Sequence, residues 1–338
     1  MCKNAITIKI LAFVSFFSST SITTILFIRV ATKWPSVIRE ITNSRLDEYV
    51  DPQLKIRSSV AAIILLMLAS FEYILSQLST YAHILDCTPQ GKLQDVYRRY
   101  CLVNYNWLFG AGVPYSLPLG ILVQILTSIT TINWNYSDIF IVCISLYLIS
   151  IFDKINEKIE SAQKKSYQPW FWGSVREDYT RATRLVRLFD DIISGITFVS
   201  FSNHLFFICL QLYNVLQNGV TAKERLPIED CPNYPSGPFH GYEYSVYFSF
   251  SISLIICRFL TVSLLASRVH SAASQPINVL FDIPSQFYCT EIQRFVEEIH
   301  SDVVALSGLQ FFHIKRSLIL SVAGTIVTYE LVLLQFDG

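Results

Sequence analysis

Charge is scarce in this chain. Only 15% of its 338 residues are Asp, Glu, Lys or Arg, against about 25% in an average soluble domain. The formal net charge is zero, which removes the electrostatic footprint expected of a nucleic-acid partner. Glycine is sparse too, at 12 residues. Helix-breaking character gathers only around Gly110, Gly112, Pro114 and Pro118, with no counterpart elsewhere. That speaks against a transporter built from matched, broken helices. The eight cysteines show no C-x-x-C or other metal spacing, and most sit in or beside apolar runs as small buried hydrophobes. No nucleophile–base pair stands out, so neither an intramembrane enzyme nor a cofactor or metal site is expected.

Hydrophobic residues are plentiful: 52% of the chain, with 24 Phe and 18 Tyr. They come in seven apolar segments: 4–30, 58–82, 114–132, 138–152, 195–217, 244–266 and 314–336. Most approach or exceed the ~20 residues a membrane-spanning helix needs. The loop after the first segment holds Arg29, Lys33, Arg39, Arg45, Lys55 and Arg57. The loop after the fourth holds Lys154, Lys158, Lys164, Lys165, Arg176, Arg181, Arg184 and Arg187. Basic residues mark cytoplasmic loops, so both belong inside. The third segment then has no room for a crossing of its own. It is expected to be a re-entrant or outer-leaflet helix, or an outward extension of the fourth. Alternation places 218–243 outside, 268–313 inside and the C-terminus outside. The result is an all-α polytopic membrane protein with six crossings, its first residues outside, and Lys3 and Lys9 giving the first segment the form of an uncleaved signal anchor.

Two inner stretches read as amphipathic helices. Apolar residues recur at Val175, Tyr179, Ala182, Val186, Phe189 and Ile193, running straight into the fifth segment. A second stripe holds Ile292, Phe295, Val296, Ile299, Val303 and Leu306, between Pro284 and Gly308. Both have the helical period.

Polar groups within or beside spans are functional candidates. Glu72, Tyr73 and Gln77 lie in the outer part of the second segment, and Trp134 and Asp138 at the outer end of the fourth. Asn203 and Gln211 lie on the fifth, and Tyr247 at the outer end of the sixth. Carboxylates and amides at one depth suit hydroxyl groups, and aromatic faces suit an apolar ring face. His204 is expected to be a packed, hydrogen-bonded residue. Arg258 is expected to snorkel to the inner face. A pair with Glu330 is disfavoured, because their positions in their helices differ in depth by about 12 Å. Cys87, Cys101 and Cys231 fall in outer loops, where one disulfide of unreadable pairing is allowed. Asn135-Tyr136-Ser137 is the one glycosylation sequon, too close to a span for ready use.

The chain's last stretch carries the most specific signal. Thr328-Tyr329, five residues, then Gln335-Phe336 close it, after Ala305-Leu306-Ser307-Gly308 and Phe311-Phe312. The ending TYELVLLQF resembles that of the insect gustatory receptors, and the upstream residues are similar to the sugar-receptor branch. The resemblance implies a seven-helix chemoreceptor subunit acting as a sugar-gated, non-selective cation channel at the plasma membrane. It also implies a homo- or hetero-tetramer with related receptors, permeated by monovalent cations and calcium. By that comparison the first of seven helices is missing here, and Lys33-Trp34-Pro35 to Glu40 resembles the stretch after the family's second. The division expected is a ligand-binding bundle (1–266), a cytoplasmic anchor segment (267–313) and a pore-lining helix (314–338). On that helix Thr325, Thr328, Val332 and Gln335 are spaced 3, 4 and 3 apart and share one face, the expected pore lining, with Glu330 turned away. Alternatives are an odorant-receptor-type channel or a membrane transporter. A G-protein-coupled receptor would require the opposite orientation.

Overall fold

The computed structural model describes residues 2–87, 92–162, 168–218 and 242–336. Six long helices dominate: α1 (Cys2–Ser44), α2 (Leu54–Cys87), α5 (Leu117–Ala162), α6 (Pro169–Asn218), α7 (Tyr242–Ser274) and α10 (Arg316–Phe336). Short elements connect them: a 3₁₀ turn (Leu46–Tyr49), α3 (Leu93–Asn104), α4 (Asn106–Phe109), α8 (Pro276–Phe281), α9 (Thr290–Ser301) and a two-stranded hairpin, β1 (Ser307–Gly308) and β2 (Phe312–His313). Segments Ile10–Ser44, Leu54–Ala82, Pro169–Leu216 and Tyr242–Phe281 are long and apolar enough to cross a membrane, and Arg316–Tyr329 is a shorter apolar helix.

The third and fourth apolar segments are one helix. α5 runs unbroken through 46 residues, so the third segment takes the form of an outward extension of the fourth. Asn133-Trp134-Asn135, between the third and fourth apolar segments, lies inside that helix. Asn135 Nδ2 donates to the Thr131 carbonyl (2.7 Å), and Asn133 Nδ2 donates across to Thr20 O (3.2 Å) and Thr24 Oγ1 (2.7 Å) on α1. The amides are absorbed by helix backbone and a neighbouring helix, so they do not end the helix.

Side-chain contacts fix the helix directions. Phe16 meets Trp134 and Phe27 meets Phe140, so α1 runs parallel to α5. Asp138 meets Arg258 and Asn156 meets the Ala272 carbonyl, so α5 runs parallel to α7. Trp134 meets Phe207 and Phe152 meets Tyr179, so α6 is antiparallel to both. Tyr73 meets Ser128, while Asp51, just before α2, meets Ser150, so α2 is antiparallel to α5 as well. The alternating directions expected of these five helices therefore hold in three dimensions. The basic loops lie at one end of the bundle, bound together by Lys158–Asp178 (3.2 Å), Arg176–Glu291 (3.2 Å) and Arg187–Asp302. Tyr49 donates to Asp178, and burial raises its phenol pKa.

The core is densest toward that basic end. Ile141, Leu148, Ile151, Phe152, Ile155 and Ile159 of α5 pack against Val175, Tyr179, Ala182, Val186, Phe189 and Ile193 of α6. This is the apolar stripe expected from Val175 onward. On α9, Ile292, Phe295, Val296 and Ile299 are buried as expected. That helix stops at Ser301, however, and residues from Asp302 are extended. Val303 is half exposed, and Leu306 is buried from an extended segment. The helical reading of the stripe beyond Ser301 is thus corrected. Asp302 pairs with Arg187, and the chain then leads into the hairpin. Toward the other end, α2 and the first half of α5 expose Ile63, Met67, Ile74, Ile121, Ile125 and Ile129, the composition expected of a lipid-facing surface.

Candidate functional site

Three polar clusters lie inside the bundle. The deepest is ionic. Asp138 of α5 is fully buried and accepts from both Nε (3.0 Å) and an Nη of Arg258 on α7. It also accepts from Ser200 Oγ (2.6 Å), and His204 Nε2 is 3.2 Å away, both on α6. The Arg258 guanidinium stacks 5.6 Å above the Trp134 ring. Arg258 therefore does not snorkel. Both guanidinium N–H groups go to Asp138 Oδ2, while Oδ1 takes Ser200 and His204, and these charge-assisted bonds hold the charge in the bundle interior.

The second cluster lies on the same faces. Ser251 and Arg258 are seven residues apart on α7, and His204 and Gln211 seven apart on α6. That is two helical turns, about 10 Å. Here Ser251 Oγ donates to Glu72 Oε1 of α2 (2.5 Å), and Gln211 Nε2 donates to Ser251 Oγ (3.2 Å). Glu72 is half-buried. This cluster is not closed. Gln211 Oε1 is buried without a hydrogen-bond partner, as are Trp134 Nε1 and His204 Nδ1 nearby. Of these atoms, Gln211 Oε1 belongs to this layer, and Trp134 Nε1 and His204 Nδ1 belong to the ionic layer.

The third cluster joins α2, α3 and α5. Tyr100 Oη reaches Gln77 Oε1 (2.6 Å) and Gln124 Oε1 (3.0 Å). Gln124 Nε2 donates to Tyr73 Oη (2.9 Å), which lies 3.1 Å from Ser128 Oγ. Tyr105 donates to Gln124, and Asn104 Nδ2 donates to Tyr100 Oη (3.0 Å). Tyr81 stacks on Tyr100 at 4.6 Å. Burial pushes the Tyr105 phenol up to about 12 and the Tyr100 phenol higher still, so both are neutral donors at physiological pH.

The structure thus brings Glu72 and Gln211 together, Trp134 and Asp138 together, and Tyr73 and Gln77 together. Asn203 is buried on α6 apart from these bonds. Tyr247 is half-buried beside Tyr244 (6.5 Å). Sequence reasoning missed Ser251, Ser200, Gln124, Tyr100 and Tyr105. The seven-residue repeat of polar residues on α6 and α7 was a signal for the first two layers. Cys101 is a buried free thiol. The side chain of Cys87, and all of Cys231, lie outside the described residues. On α10, Leu318, Val322 and Ile326 pack on the core. Thr325, Thr328 and Val332 lie about 100° round from that face and are exposed, Val332 at 42%. The helix includes Gln335 and Glu330, but their side chains lie outside the described residues.

The family model described as "Trehalose receptor" matches residues 1–226 and 240–338. The chain belongs to the trehalose receptor family. It is 33% identical over 340 residues to the gustatory receptor for sugar taste 64f of Drosophila melanogaster, covering 99% of this chain and 67% of that protein. It is 31% identical to the gustatory receptor for sugar taste 64a of that species, covering 100% and 71%, and 32% identical to its gustatory receptor 5a for trehalose, covering 92% and 66%. The chain thus spans about two thirds of the length of these relatives. They are receptors, not enzymes. Among solved structures it is similar to the insect olfactory receptor OR5 from Machilis hrabei (TM-score 0.60, 15% identity, 97% of this chain and 81% of that one). The eugenol complex of that receptor matches equally (TM-score 0.59, 16% identity, 95% and 79%). The fold is that of the insect chemoreceptors: all-α, polytopic and built for the membrane.

Proposed function

We infer that this receptor is a sugar-gated, non-selective cation channel subunit. The observation that carries the reading is the open Glu72–Ser251–Gln211 cluster, with an unpaired amide oxygen and an unpaired indole N–H close by. A sugar offers several hydroxyls, each both donor and acceptor, and an apolar ring face that stacks on an aromatic. Glu72 and Gln211 would bond hydroxyls, Trp134 would offer its indole N–H, and Tyr73, Gln77, Asn203 and Tyr247 would shape the surrounding wall. Asp138 would hold Arg258 and through it Trp134. Membership of a family whose relatives are named for sugar taste and trehalose supports a sugar as the ligand.

In this reading α10 lines a pore. A polar stripe in lipid must face a bundle interior or water, and Thr325, Thr328 and Val332 are left uncovered by the single chain. Four copies around an axis, as homo- or hetero-tetramer with related receptors, would give hydroxyl rings, a Val332 constriction and a Gln335 ring. Neutral polar rings pass cations with little selectivity, and a hydrophobic ring gates by dewetting. Residues 1–266 would bind the sugar, 267–313 would anchor subunits in the cytoplasm, and 314–338 would conduct monovalent cations and calcium. The receptor would sit in the plasma membrane with its C-terminus outside.

The test is direct. Cells expressing the receptor should give currents or calcium signals to one or more sugars of a panel that includes trehalose. Silence at full surface expression would overturn the reading. Tags after Lys164 and at Gly338 should label permeabilised and intact cells respectively; the reverse pattern would contradict the orientation. A cysteine at Val332 should react with a water-soluble thiol reagent and change the current, and one at Glu330 should not.

A further inference from the structure

The turn before α10 is built in a costly way. Leu309 and Gln310 both have positive φ (51° and 60°), and Phe311 N donates to the Gly308 carbonyl (3.0 Å). The register Ser307↔His313 and Gly308↔Phe312 leaves a three-residue loop, whose first two residues take the left-handed conformation that usually falls to Asn or Gly. Two non-glycine residues hold such a conformation only where the surroundings impose it. Gly308 has no room for a side chain, since a Cβ there would meet the Phe312 ring at 2.3 Å.

What imposes it is α6. Both oxygens of Asp190 are engaged by one residue: Ser307 N donates to Oδ1 (2.6 Å) and Ser307 Oγ to Oδ2 (2.8 Å). Ser307 Oγ in turn accepts from Gln310 N (3.2 Å), inside the strained turn. About two and three turns further along α6, Phe198, about 80° round from Asp190, and Phe201, on nearly the same face as Asp190, receive the hairpin's aromatics. Phe311 lies 5.7 Å from Phe198, and Phe312 lies 5.6 Å from Phe201. Phe201 contacts Phe259 (5.7 Å), and Phe259 contacts His204 (6.2 Å) of the buried ionic cluster. One aromatic layer therefore separates the interior clusters from the hairpin, and only Ile314 and Lys315 separate the hairpin from α10.

We propose that Asp190 is a positioning residue: it clamps the Ser307–His313 hairpin to α6, seats α10, and makes motion of α6 around the ligand cluster pull on the pore helix. The clamp stands on the geometry alone; the pull on the pore rests on the sugar-gated reading above.

The experiment uses the full chain in a heterologous cell, with surface labelling and the sugar panel. Asp190→Ala should cut the maximal sugar-evoked current tenfold or more at unchanged surface level. Ser307→Ala, which keeps the backbone bond, should cut it several-fold. Asp190→Asn, which still accepts from Ser307 N, should recover part of the loss. The Asp190→Ala/Ser307→Ala double variant should lose less than the product of the two single losses, because the Asp190–Ser307 contact is common to both and only the Gln310 N bond to Ser307 Oγ is added. Effects that multiply, or full currents in Asp190→Ala, would overturn the coupling. If Asp190→Ala fails to reach the surface, Ser307→Ala and Asp190→Asn decide the matter in the same way. Amide hydrogen exchange of the solubilised protein reads the clamp without any sugar. Asp190→Ala should speed exchange at 307–313 tenfold or more and leave 179–189 unchanged; an unchanged hairpin would overturn the clamp. A wild-type chain silent to every sugar would overturn the sugar reading and the pull on the pore, with the clamp still decided by exchange.

Discussion

Two polar layers, one joining α5, α6 and α7 and the other α2, α6 and α7, use similar residues and end differently. In the deeper one Asp138, Arg258 and Ser200 satisfy one another and the charges cancel out of reach of solvent, while His204 Nδ1 and Trp134 Nε1 beside them have no hydrogen-bond partner. In the layer two turns away, Glu72 has a serine where Asp138 has an arginine, and the amide of Gln211 is half used. A closed ionic cluster fixes the register of helices. An open one leaves hydrogen-bonding capacity for a guest. The chemistry of recognition is therefore assigned to the layer that is incomplete.

Breaking the closed layer should have the largest effect. Arg258→Ala leaves Asp138 charged and unpaired, a loss of about 3–5 kcal/mol for a buried pair, and should abolish surface expression. Removing both charges as Asp138→Leu/Arg258→Met should recover much of that expression, since a buried pair replaced by apolar residues is often near neutral. Recovery that fails would mean that the charges serve more than register. In the open layer, Gln211→Ala should leave surface expression intact and weaken the sugar response about tenfold, the scale of one lost hydrogen bond of ~1–2 kcal/mol. Equal loss of expression in Gln211→Ala and Arg258→Ala would erase the distinction between layers. Tyr100→Phe should have the smallest effect on the sugar response. It removes a hydroxyl bonded to Gln77, Gln124 and Asn104, about 1–3 kcal/mol of stability, read as a drop in thermal stability with the dose–response midpoint nearly unchanged.

The long apolar helices were legible because apolar length is a local property, and the α6 stripe from Val175 to Ile193 was legible from its period. The α9 stripe was overextended, because Val303 and Leu306 keep the spacing while Asp302 ends the helix to reach Arg187. The continuity of α5 was concealed by Asn133 and Asn135, whose amide partners on α1 and within the helix no local pattern announces. Arg258 was misplaced for a related reason. Snorkelling is the rule for a lone arginine, and its partner lies 120 residues away. Glu72 and Gln211 were found as residues, yet Ser251, which joins them, carries no signal beyond its seven-residue spacing from Arg258.

The central claim is that a sugar is bound by the open layer around Glu72. The most direct measurement is the sugar dose–response curve of Glu72→Gln against wild type at matched surface expression. Loss of a carboxylate partner to a buried hydroxyl, about 1–3 kcal/mol, predicts a midpoint shifted roughly 5- to 150-fold to higher sugar, with surface level unchanged. A curve superimposable on that of the wild type would contradict the account and move the site away from this layer.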